Sequence, residues 1–166
     1  MRKLALALVI LGLAAGGYAL WRWLYPPDAV VIRRVVLEAM QAASWEKQGG
    51  RLQALAAANR LASLCTQDVE ILLETRGVHS RRLRGRDDLR EAALGARTQV
   101  AWLRLELDDL EVTILEPGVS AGVLVASTVE ASRVREPILQ DYKLDMQKVD
   151  GDWRIARVEP VKGFGM

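Results

Sequence analysis

The chain has 166 residues, 51% of them hydrophobic, with 23 basic and 21 acidic side chains. Three of the basic residues and none of the acidic ones precede Asp28, so the rest of the chain is close to neutral and gives no electrostatic case for a nucleic-acid partner. One cysteine and one histidine exclude an internal disulfide and a Cys/His metal cluster. No Gly-rich phosphate loop, nucleophile elbow or paired-carboxylate motif is present, so no cofactor is expected.

The N-terminus reads Met1-Arg2-Lys3, then an uncharged apolar run of 17 residues from Leu4 to Leu20, then Trp21-Arg22-Trp23-Leu24-Tyr25 and a break at Pro26-Pro27. The run spans about 26 Å as a helix, and the aromatic residues after it suit the headgroup level of a bilayer. Residues 1–27 are therefore expected to form a single-pass signal anchor, with residues 4–25 in the inner membrane. The domain from Asp28 onward then faces the periplasm or cell exterior. The alternative is a signal peptide cleaved after Ala19, which would secrete the same domain.

Asp28 is placed to cap a helix running to about Lys47, with Val31, Val35, Ala39 and Ala42 on its apolar stripe and Ile32, Val36 and Met40 beside it. Gly49-Gly50 breaks it, and Leu52, Leu55, Ala58 and Ala62 mark a second helix to Leu64. Cys65 closes an apolar string and reads as a buried small hydrophobe. The period then changes to two. Val69–Glu74 and Val78–Leu83 read as a short strand pair, and Arg86–Leu94 as a short third helix ended near Gly95.

Leu103, Leu105 and Leu107 alternate with polar residues, and the apolar parity then switches to Leu110, Val112 and Ile114. One extra residue near Asp108-Asp109, a β-bulge, explains the slip. After a turn at Glu116-Pro117-Gly118 come strands over Val119–Ala131, Ile138–Val149 and Trp153–Val158, with a hairpin at Asp150-Gly151. Helices grouped ahead of antiparallel strands indicate an α+β fold.

Leu83-Arg84-Gly85-Arg86-Asp87-Asp88-Leu89-Arg90-Glu91-Ala92 and Val149-Asp150-Gly151-Asp152-Trp153-Arg154-Ile155, taken with this element order, resemble the nuclear transport factor 2-like superfamily, which includes the SnoaL-like enzymes. The resemblance covers roughly residues 28–161, leaving 162–166 as a tail. It implies a cone in which three helices pack on a curved antiparallel sheet, with a pocket at the open mouth. It transfers no acid–base pair, because the middle strands put Val, Ala, Ser and Leu where such acids sit.

Among individual residues, His79 is the weak candidate for a general base, given a carboxylate such as Asp141 or Glu74 beside it. Trp45, Tyr142 and Trp153 are candidates for lining a pocket. Arg76, Arg81, Arg82, Arg84 and Arg86 form a dense basic run suited to an anionic partner or to a solvated hairpin. Trp102, Arg104 and Lys143 are expected on the outer face of the sheet, as an interaction surface or a solvated one. The leading expectation is a membrane-anchored, non-catalytic interaction or assembly module with a protein partner or a second copy of itself, similar in plan to one-anchor components of secretion and lipid-transport complexes. The alternative is a SnoaL-like protein or enzyme that takes a small apolar molecule into the cone.

Overall fold

The computed structural model describes residues 26–46, 50–73, 81–132 and 134–161. The expected anchor, Glu74, Arg76, His79 and the tail lie outside them. Among the described residues no helix is long and apolar enough to cross a membrane.

Three helices, α1 (Asp28–Ala43), α2 (Arg51–Ser63) and α3 (Gly85–Gln99), accompany six strands: β1 (Cys65–Leu73), β2 (Arg81–Arg84), β3 (Leu103–Leu115), β4 (Ser120–Ala131), β5 (Ile138–Val149) and β6 (Asp152–Val161). The strands form one sheet in the order β2-β1-β6-β5-β4-β3. All neighbours are antiparallel except β1 and β6, which run parallel. That one parallel pairing joins the early strand pair to the later meander. Strand periodicity alone does not reveal it, because it depends on where the chain returns after three antiparallel turns.

The sheet bends where its registers slip. Leu107 pairs with Ser127 and Asp109 with Ala126, which leaves Asp108 as the extra residue of the expected bulge. Its carboxylate accepts a hydrogen bond from the Thr128 hydroxyl at 2.8 Å. Further slips leave Ala156 unmatched on β6 and interrupt the β1–β6 ladder between Cys65 and Glu70. Each such irregularity bends its strand and increases its twist, and the helices occupy the concave side. There Ile32 and Val36 of α1 pack in one core with Val69, Val123, Met146, Trp153 and Ile155.

Several boundaries differ from those the sequence suggests. The buried stripe of α1 is Ile32, Val36 and Ala39, one residue round from the expected Val31–Val35 line. The helix stops at Ala43, four residues early. There the Ser44 hydroxyl donates to the Met40 carbonyl and accepts from the Leu105 amide, and Trp45 forms a two-bond bridge with Leu103. Strand pairing thus overrides a helical periodicity that continues. On α2, Leu52 and Leu55 are exposed and the buried positions are Ala58 and Ala62. Helix α3 runs through Gly95 to Gln99, because the contacts of Ala96 and Arg97 outweigh the roughly 1 kcal/mol that a helical glycine costs.

Asp28 does not cap α1. The cap position is Pro27, and the Asp28 carboxylate turns to the β5–β6 hairpin instead. It accepts hydrogen bonds from the Trp153 indole N–H at 2.8 Å and the Lys148 ammonium at 3.0 Å. The hairpin turn itself has Asp150 and Gly151 both at positive φ, as its sequence requires.

Gly85 starts α3 at φ +80°, and a Cβ there would lie 3.3 Å from the Gln67 carbonyl oxygen. Gly85→Ala is expected to lower the unfolding free energy by about 1–2 kcal/mol, the cost of a left-handed residue carrying a Cβ, as read by urea denaturation. An unchanged midpoint would show that the β2–α3 junction relaxes freely.

Candidate functional site

Between the concave sheet and the helices lies a cavity of about 320 Å³, at the small end of the roughly 300–1,000 Å³ usual for small-molecule sites. Its helical wall is the C-terminal half of α1 (Val36, Ala39, Met40) and the inner face of α3 (Leu89, Ala92, Ala93, Ala96). Its floor is Leu103 and Leu105 of β3, Val125 and Ser127 of β4, Tyr142 and Leu144 of β5, and Ile155 and Val158 of β6. The space exists because α3 presents alanines where leucines would reach the sheet. The ladder registers run the cavity from the middle of the sheet, at Cys65 and Ile155, toward the end of β6. Tyr142 pairs with Pro160 near the end of β6, whereas the Asp28 contact and the β5–β6 turn lie at its start.

The lining carries few polar groups. The Ser127 hydroxyl is already committed, donating to the Gln140 carbonyl at 3.0 Å. Burial pushes the Cys65 thiol up to about 11, so it is a neutral wall element, its Sγ 3.5 Å from the Leu61 carbonyl. Burial likewise raises the Tyr142 phenol above its ordinary value.

The exception is Arg97, in the last turn of α3. Its guanidinium lies 4.7 Å from the centre of the Trp45 ring and donates one hydrogen bond, at 3.1 Å, to the Ala42 carbonyl near the end of α1. Trp45 is itself fixed, because its indole N–H donates to the Val100 carbonyl at 3.1 Å. Removal from water lowers the Arg97 pKa below its usual value, and the group remains a cation.

Of the residues the sequence singles out for a pocket, Trp45 and Tyr142 line the cavity and Trp153 does not. Trp153 is 3% exposed, in the core beside Asp28. The described part of the basic run does not act as one surface. Arg81 and Arg82 are exposed, Arg84 lies 3.4 Å from Glu70, and Arg86 turns inward to donate to the Cys65 carbonyl at 3.0 Å.

On the outer face, Arg104 pairs with Glu46 at 3.0 Å and Lys143 approaches Asp145 at 3.9 Å. Trp102 is 38% exposed just before β3. These are the contacts of a solvated sheet face. Arg97 is not among the residues the sequence singles out. The signal for it is the spacing of Ala92, Ala93 and Ala96, which leaves one helix face too small to fill the cone, followed at once by a cation on that face.

No family model and no curated relative matches the chain. Solved structures do. A protein described as NTF2-like with a cystatin-like fold, from Novosphingobium aromaticivorans, superposes with a TM-score of 0.62 at 18% identity, covering 90% of this chain and 89% of its own. A candidate scytalone dehydratase from the same organism gives 0.59 at 18%, covering 80% and 82%. A variant of Rv3472 from Mycobacterium tuberculosis, a protein of unknown function, gives 0.60 at 22%, covering 82% and 78%. At these identities the likeness is one of fold, and the domain of this chain has the NTF2-like fold, three helices on a curved six-stranded sheet.

Proposed function

We propose that this domain binds a small, largely apolar molecule inside the cone, and that residues 4–25 hold it at a membrane. The observation that carries the reading is the cavity itself. A cone serving only as a docking scaffold has no need of an unfilled interior, and aliphatic side chains readily close such spaces. Support for binding over catalysis comes from the titratable groups that the described lining does hold: burial raises both the Cys65 thiol and the Tyr142 phenol, which keeps them neutral. The outer sheet face, with its charges paired, gives less support to an assembly role.

The test is purification of the full-length protein from its native membranes after crosslinking, followed by mass spectrometry of both small molecules and proteins. A stoichiometric apolar small molecule released on denaturation is the expected result. A stoichiometric membrane protein with no small molecule would overturn the reading in favour of an assembly module.

A further inference from the structure

The geometry points to a carboxylate as the polar end of the cavity's ligand, held by Arg97 at the rim while an apolar tail lies between α3 and the sheet. This rests on reading the cavity as a binding site. Four arginines among the described residues are half-buried: Arg86, Arg90, Arg97 and Arg154. Arg90 is paired with Asp87, Arg154 lies 3.7 Å from Asp152, and Arg86 directs two nitrogens at the Cys65 carbonyl. Only Arg97 lines the cavity, and it has no carboxylate partner among the described residues.

A guanidinium has five N–H donors in a planar fork, and Arg97 uses one on Ala42. The Trp45 ring and the Ala42 carbonyl hold the guanidinium at two points and limit its rotation, which lowers the ordering cost of bidentate recognition of a carboxylate by the remaining N–H groups. The surrounding apolar wall lowers the local dielectric and strengthens such a pair. Arg81, on the opposite edge of the sheet from β3, is exposed and does not line the cavity. A single oriented fork above a cavity of about 320 Å³ suits a small monoanion with a short hydrocarbon or one-ring tail.

The test compares hexanoate with hexan-1-ol, which share a tail and differ in the charged end. Each is titrated calorimetrically into the full-length protein in lipid nanodiscs, with empty nanodiscs subtracted. Wild-type protein is expected to bind hexanoate roughly 10- to 100-fold more tightly than the alcohol, the range for a charge-assisted hydrogen-bonded pair. Arg97→Gln is expected to abolish that preference while leaving alcohol binding in place, and Arg97→Lys to retain part of it. Equal affinities in the wild type would overturn the carboxylate assignment, and a loss in Arg97→Gln shared equally by both probes would overturn the role of Arg97; either result leaves the apolar cavity standing. Failure of the wild type to bind either probe would remove the cavity reading as well. The wild-type comparison decides the carboxylate assignment even where Arg97→Gln does not fold, and Arg97→Lys, which keeps the charge, then tests the role of Arg97.

Discussion

Asp28→Ala is expected to lower the unfolding free energy by about 2–3 kcal/mol. The Trp153 indole N–H is buried and its acceptor is the Asp28 carboxylate at 2.8 Å. A buried donor left without its partner costs about 1–3 kcal/mol, and Lys148 loses its contact at the same time. Asp28→Asn keeps an oxygen within reach of the indole and is expected to cost less.

The two variants also separate by pH. Hydrogen bonds from Trp153 and then Lys148 hold the Asp28 carboxyl below its ordinary 3.8. A carboxyl depressed in the folded state contributes stability that is complete above about pH 4 and is lost as pH falls through the folded value. The advantage of wild type over Asp28→Asn should therefore shrink below pH 4 and be constant from pH 5 to 7, read by urea denaturation at each pH. Equal costs for the Ala and Asn variants would show that the indole bond is not the source.

Ala93→Phe is expected to separate stability from binding. Ala93 lies on the cavity wall of α3. A ring placed there buries apolar surface without displacing core atoms, and cavity-filling of this kind commonly adds about 0.5–2 kcal/mol of stability. The same ring occupies volume that a ligand needs in a cavity of only about 320 Å³. The melting temperature should hold or rise while hexan-1-ol binding falls by at least about tenfold, the equivalent of roughly 1.4 kcal/mol. A variant that melts lower and binds normally would show that Ala93 faces packed atoms.

Much of the fold is legible in the residues because local signals and tertiary packing agree there. The parity switch after Leu107 reports the bulge at Asp108, and Asp150-Gly151 reports its hairpin, because each depends on neighbours in sequence. The end of α1 is illegible for the opposite reason. Periodicity continues past Ala43, and what stops the helix is Leu103, nearly sixty residues on. Trp153 misleads as a pocket residue because aromatic character marks burial and does not distinguish a core from a cavity wall. The pocket is implied by the resemblance and is not visible in the spacing, because it is made by what α3 lacks. Alanines at Ala92, Ala93 and Ala96 favour a helix whether or not a void lies beneath them.

The Asp28 contact also gives the domain a direction. It ties the first turn of α1 to the β5–β6 turn, so the described chain enters the domain beside that hairpin. Helix α1, 16 residues and therefore about 24 Å long, leads from that junction to the cavity. Arg97, which donates to the Ala42 carbonyl, is thereby set almost a full helix length along the chain from the point where residues 4–25, the proposed anchor, lead in.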